Sequence, residues 1–304
     1  MANESISTYP VVFTSGDALI VGRAYRQAEG LAERQPGVLV TGSWLTVKEQ
    51  MAHLYATALA RRGYTAITFD FTGFGQSGGG LRHAELPSRK IADIIAATRF
   101  ASNLSFVQPG GVGYLAVCAS AQYVLAAIAH GAPIRSYASV AGWFHDTTSV
   151  TPFYGGNAGI DRRLSRAEKA FDVYVRTGEL VTVPAYDPGD ERAGMAFEMD
   201  YYANPNRGAV PEWPNQMAEL SWLPWLTFDG LSAAEAVSVP SLFVHADGCV
   251  FPEHIDRLRR NLRGPVEVAW GDGTQTDFYD QPAQVEFATD ALDAHFAGMR
   301  EVPA

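Results

Sequence analysis

The chain has 304 residues, 47% of them hydrophobic, with 23 Lys and Arg against 33 Asp and Glu for a formal net charge of −10. That length allows one large α/β domain or two smaller ones around an ample core, and the acidic balance, with no basic cluster to reverse it, argues against nucleic-acid and anionic-membrane partners. Two cysteines make no disulfide framework or CxxC metal pattern, no basic-then-apolar leader opens the chain, and no apolar run reaches membrane length. The expectation is a cytoplasmic protein with free thiols, a small-molecule ligand, no metal and no cofactor; no pattern specifies the oligomeric state, a homodimer included.

Two β-like runs, 10–14 and 18–25, flank Ser15-Gly16-Asp17, a turn composition that predicts an edge hairpin. Residues 38–41 form a short buried strand, followed by a loop at Gly42-Ser43-Trp44-Leu45 and a helix-periodic run over 47–62. The next strand, 64–70, runs into a glycine-rich loop, Gly73 to Gly80, that completes neither GxGxxG nor GxxxxGK[ST] and so predicts no nucleotide site. An amphipathic helix is expected over 88–103, then a strand, a helix to His130, and a strand over 136–141. Strands alternating with helices argue for right-handed βαβ units, with ligands at the carboxyl ends of the strands.

The alternation stops between Gly142 and about Gly230, where aromatics and prolines accumulate and 164–176 is the one clear helix. A long aromatic insertion between two strands reads as a cap over the ligand edge, with Trp143, Tyr154, Tyr202 and Trp222 as candidate substrate contacts. About half of the insertion's rings are expected to pack its own core instead. The sheet resumes at 240–245, followed by Asp247 and Cys249, a helix from about Pro252, a last strand at 265–270, and a closing helix over 282–296. The division is thus 1–141 and 231–304 as two parts of one core, with 142–230 inserted.

The candidate reactive centre lies where residues 112–117 run from strand into helix. A nucleophile in so sharp a turn needs small neighbours two residues before and two after. Cys118 has Ala116 and Ser120 there, whereas Ser120 as nucleophile would have Cys118 and the bulky Gln122. The plain alternative is a small buried cysteine.

This order of elements resembles the α/β-hydrolase superfamily: a mainly parallel twisted sheet with helices on both faces and an inserted cap. Val47-Lys48-Glu49-Gln50, Phe69-Asp70 with Gly73, Gly75 and Ser77, Val117-Cys118-Ala119-Ser120 and Asp277-Phe278-Tyr279-Asp280 look more narrowly like its dienelactone-hydrolase-like and acetyl-xylan-esterase-like bacterial branch. The resemblance implies Cys118 as nucleophile, the amide of Ala119 with that of Ser43 or Trp44 as oxyanion hole, and Asp247 as triad acid. Where related hydrolases carry the histidine base, this chain has Gln275. Glutamine takes no proton from a thiol, although it can orient a group or donate to a carbonyl.

Three outcomes stay open. A histidine from elsewhere serves the thiol, His145 being best placed and His245 second; or the thiolate forms without a dedicated base, aided by the helix that starts after the elbow; or no acyl-enzyme forms and Asp247 and Gln275 support proton-transfer or cyclisation chemistry. Cys249, two residues past Asp247, is a candidate disulfide partner for Cys118, although a packed thiol is the simpler reading. The expected activity is cleavage of an ester, thioester or lactone of a small apolar or aromatic acyl compound. The alternatives are a non-hydrolytic acyl transferase or cyclase in biosynthesis, and a catalytically inactive ligand-binding relative.

Overall fold

The computed structural model describes residues 5–300. Ile6–Ser15 (β1) and Ala18–Gln27 (β2) form the expected hairpin, in register from Ile6↔Gln27 to Ser15↔Ala18, around Gly16 at φ +57°. The chain continues through Gly37–Thr41 (β3), Met51–Arg61 (α1), Thr65–Phe69 (β4), Pro87–Ser102 (α2), Val112–Val117 (β5), Ser120–Ala129 (α3) and Ile134–Val140 (β6). After β6 come Thr147–Phe153 (α4), Gly156–Thr177 (α5), Thr182–Pro184 (β7), Asp200–Ala203 (α6), Gln216–Ala218 (β8) and Trp222–Leu226 (α7). The last elements are Ser241–His245 (β9), Glu253–Asn261 (α8), Val266–Trp270 (β10), Asp277–Asp280 (α9) and Pro282–Phe296 (α10).

Eight strands make one sheet in the order β1-β2-β4-β3-β5-β6-β9-β10. Only the pairings of β2, with β1 and with β4, are antiparallel. Every residue of β3, β4, β5 and β9 is buried, as strands covered on both faces must be, which is why Val, Leu and Thr recur in them without alternation. At the far edge β10 is mostly exposed or half-buried. Because β6 and β9 are neighbours, with Tyr137 opposite Ser241, everything from 142 to 230 is inserted between two adjacent strands.

Two helix starts differ from the periodicity. Helix α1 begins at Met51 rather than near 47, because the Gln50 side chain accepts from the Val47 amide (2.9 Å) and donates to the Gly208 carbonyl (2.6 Å), holding residues 47–50 in a turn. Helix α5 runs well beyond the expected 164–176, from Gly156 to a left-handed glycine terminus at Gly178, φ +76°. The inserted segment also carries α4, α6, α7 and the small β7–β8 ribbon. Asp146 caps α4, its carboxylate accepting from the amides of Thr148 and Ser149.

Candidate active site

Strand β5 delivers Cys118 into a left-handed conformation, φ +56°, that a residue with a side chain adopts only when its surroundings compel it. Its amide donates to Val140 (3.1 Å), and its carbonyl accepts from Trp143 (2.9 Å) and Ala121 (3.0 Å), so the end of β6 and the start of α3 clamp the turn. The Ser120 hydroxyl faces the carbonyls of Thr41 and Val117, away from any ligand. Cys118 lines a cavity of about 530 Å³ together with Ser43, Trp44, Trp143, Tyr154 and Gln275.

The loop after β3 is held from below by two buried carboxylates. Asp70 accepts from the Lys48 amide (2.8 Å), the Lys48 ammonium (2.7 Å) and the Gln76 amide (3.0 Å). A side chain on Gly75 would lie 2.3 Å from the Asp70 carboxyl group, so the glycine there is sterically required. Glu85 binds the Leu45 amide (3.3 Å), the Lys90 ammonium (2.8 Å) and the Tyr123 hydroxyl (2.8 Å). The Lys48-to-Gln50 and Asp70-to-Ser77 motifs are therefore scaffolding for the loop that carries Ser43 and Trp44. Among the described residues no backbone carbonyl accepts from the amides of Ser43, Trp44 or Ala119; that of Ala119 faces the Cys118 sulfur, the direction an oxyanion-hole donor needs.

Around the sulfur the polar groups are hydroxyls and an amide. Tyr202 donates to Ser43 Oγ (3.1 Å), which lies 3.4 Å from the Tyr279 hydroxyl, and Gln275 Nε2 donates to both Tyr279 Oη (3.2 Å) and the Ala141 carbonyl (2.7 Å). Gln275 Oε1 accepts from the Val250 amide (3.0 Å), so the side chain is fixed at both ends. Burial pushes the Cys118 thiol above its ordinary range, against the pull of hydrogen bonds from Ser43, Tyr279, the Ala119 amide and Gln275. Burial likewise keeps the Tyr202 and Tyr279 phenols protonated. The resting site is a neutral thiol among neutral donors.

The expected acid and base are not brought there. Asp247 is exposed and accepts from Trp270 Nε1 (3.3 Å) at the sheet edge, because the neighbouring Gly248 bridges to Thr274 and the turn carries the carboxylate outward. His145 is fully buried with both ring nitrogens occupied: Nδ1 accepts from Trp143 Nε1 (2.7 Å) and Nε2 donates to the Trp225 carbonyl (2.9 Å). Burial lowers its pKa to about 4. His245 is buried too, its ring 5.6 Å from that of Trp270, and burial also takes it to about 4. Among the described residues no histidine lines the cavity. Both cysteines are free thiols; Cys249 is buried, and burial pushes its pKa up to about 12.

Of the aromatic candidates, Trp143, Tyr154 and Tyr202 line the cavity, as do Phe153 and Trp225. Trp222 does not. It is fully buried behind the wall, 5.6 Å from the Trp44 ring and 5.2 Å from that of Tyr154. Tyr279, in α9, is a site residue that the sequence does not single out; Gln275, in the turn before that helix, donates to its hydroxyl (3.2 Å).

No known family signature matches the chain. The uncharacterized protein PA2218 of Pseudomonas aeruginosa is 30% identical over 186 residues, 59% of this chain and 49% of its own, so in sequence the chain spans about half of that relative. In structure, PA2218 superposes with a TM-score of 0.83 at 21% identity, covering 97% of this chain and 95% of that one. The α/β hydrolase GrgF from Penicillium sp. sh18 superposes at 0.79 with 16% identity, over 96% and 99%. The fold is the α/β-hydrolase fold. A shorter sequence match, 29% over 115 residues, covers 38% of this chain and 37% of the acyltransferase drtE of Aspergillus calidoustus.

Proposed function

We propose that this α/β-hydrolase-fold protein is an acyl-transfer enzyme. In this reading Cys118 takes an apolar or aromatic acyl group from a thioester and passes it to a nucleophile other than water. The observation that carries the reading is the composition of the cavity around the elbow: a strained cysteine beside amides that no backbone carbonyl engages, and Gln275 with the Tyr279 hydroxyl where a histidine is expected. The cysteine is what the chain shares with dienelactone hydrolases; the glutamine separates it from them.

The chemistry follows from which steps need a base. Cys118 Sγ attacks the thioester carbonyl, a C–S bond forms, and the amides of Ala119 and of Ser43 or Trp44 hold the oxyanion. The thiol proton moves through the Tyr279 hydroxyl to the leaving sulfur as the old C–S bond breaks. One thiol replaces another, so no net proton is needed, and a thiolate leaves readily where the alkoxide of an ester requires an acid. An incoming amine or thiol then attacks the acyl-Cys118 and gives its proton back to the departing sulfur. Water is a much weaker nucleophile, no histidine lines the cavity, and the two carboxylates of its lining, Glu198 and Asp200, are exposed, Asp200 being paired with Arg207 (3.1 Å). The wall of Trp44, Trp143, Phe153 and Trp225 suits an aromatic or apolar acyl group and limits water. The match to a protein named as an acyltransferase supports the same reading.

A partition experiment tests it. With an aryl thioester of N-acetylcysteamine and increasing amounts of a primary amine, the expected product is amide, with free acid a minor fraction. Free acid as the main product at saturating amine would show a hydrolase instead.

A further inference from the structure

A second cavity, of about 470 Å³, adjoins the first, and the two share Phe153, Tyr154 and Phe197 as walls. Its other side is formed by Arg162, Arg163 and Arg166 of α5, with Glu191 opposite. Against the expectation of a chain without a basic cluster, Arg162, Arg163 and Arg166 form one here, offset in part by Glu191 and by Glu219. They are not equally committed. Arg166 pairs with Glu219 (3.1 Å), which Arg192 also binds (3.2 Å). Arg163 gives one nitrogen to the carbonyls of Tyr154 (2.9 Å) and Gly159 (3.1 Å), its guanidinium lies over the Tyr154 and Trp222 rings, and its buried Nε has no partner. Among the described residues Arg162 has no carboxylate within ion-pair distance.

We infer that Arg162 and Arg163 bind the phosphate of a phosphopantetheinyl thioester whose arm crosses the shared wall to bring its acyl sulfur to Cys118. This rests on the acyl-transfer reading and names its donor. The guanidinium fork of Arg162 and the uncommitted Nη2 of Arg163 match phosphate oxygens in charge and geometry. The wall between the cavities carries the half-exposed rings of Phe153 and Phe197, 5.6 Å apart edge to face, an apolar lip for the hydrocarbon part of the arm. Glu198 and Asp200, exposed residues of the first cavity's lining, repel a phosphate there, which favours the arginine cavity for the donor's phosphate. The Tyr154 carbonyl that accepts from Arg163 belongs to a residue lining both cavities, which couples the anchor to the acyl chamber.

The test is calorimetric binding of coenzyme A, 4′-phosphopantetheine and pantetheine to the full chain, which needs no turnover. Both phosphorylated compounds should bind about tenfold or more tightly than pantetheine, and Arg162→Gln and Arg163→Gln should each shrink that ratio several-fold, with Arg162→Lys falling between, since lysine keeps the charge but not the fork. Equal binding of coenzyme A and phosphopantetheine points to a carrier-borne arm, tighter coenzyme A to the free coenzyme. Arg162 is exposed, so its variant reports on the site even if Arg163→Gln disturbs packing. Pantetheine binding as well as the phosphorylated compounds, or a ratio untouched in Arg162→Gln, overturns the inference. Acylation of Cys118 by a neutral thioester reports separately on the acyl-transfer reading, so the two can fail independently.

Discussion

The two sides of the elbow have been treated differently. On the β3 side, each buried charge that holds the Ser43–Trp44 loop has its partner: Asp70 with Lys48, and Glu85 with Lys90, Tyr123 and the Leu45 amide. On the side of β9 and β10, where the fold's acid and base are expected, Asp247 faces solvent and Gln275 is tied to Ala141, Val250 and Tyr279. In the proposed reading, the half that would stabilise negative charge on oxygen is kept, and hydroxyls and an amide stand where the group that moves a proton from water is expected. Stabilising an oxyanion and activating water are separable, and only the second needs a histidine.

The largest effect should come from the sulfur. Cys118→Ala should abolish acyl transfer, and a slim electrophile on the native protein should label Cys118 and spare Cys249; peptide mapping reads the latter. Because burial raises the Cys118 pKa, its alkylation rate should keep climbing past the ordinary thiol range, so a plateau near neutral pH would show an activated thiolate instead. Next, Lys48→Met leaves Asp70 buried without its cation and should destabilise the fold by about 3–5 kcal/mol in urea titrations. A loss no larger than that of a surface lysine would mean the β3 side is not held by charge.

Gln275→His sharpens the contrast from the other side. It should raise hydrolytic release of the acyl group by about tenfold, less than a full general base provides, since no carboxylate is placed to orient the new imidazole. Unchanged release would mean that water is excluded by the walls and not by the missing base. His145 and His245 are held near pKa 4 by burial against about 6.5 in the unfolded chain, so between those values the unfolded state binds more protons. Stability should be full above about pH 6.5 and fall as pH drops toward 4; denaturation midpoints at pH 7.5 and pH 5 check it, equal midpoints contradicting it. The smallest effect belongs to Asp247→Asn, expected to change stability by less than about 0.5 kcal/mol and turnover by less than twofold. A large loss of turnover there would restore Asp247 to the site.

What the sequence made legible was local. The hairpin, the buried strands rich in Val and Leu, the closing helix at 282–296 and the elbow with its small flanks could all be read because neighbouring residues set them. The start of α5 at Gly156 could not, since two glycines and a polar stretch carry no helical period. Asp247 was legible as a position but not as a direction, which depends on Gly248 pairing with Thr274. His145 looked available in the sequence because its captor, the Trp225 carbonyl, lies 80 residues away. Trp222 and Trp225 are three residues apart, yet only Trp225 faces the cavity.

The central claim is that Cys118 carries an acyl group that water removes slowly. Intact-mass measurement after mixing the protein with a neutral aryl thioester tests it most directly. The expected result is one added acyl mass mapping to Cys118, persisting in buffer and lost within the mixing time once a primary amine or thiol is added. No adduct at Cys118, or one that water clears as fast as an amine does, would contradict it.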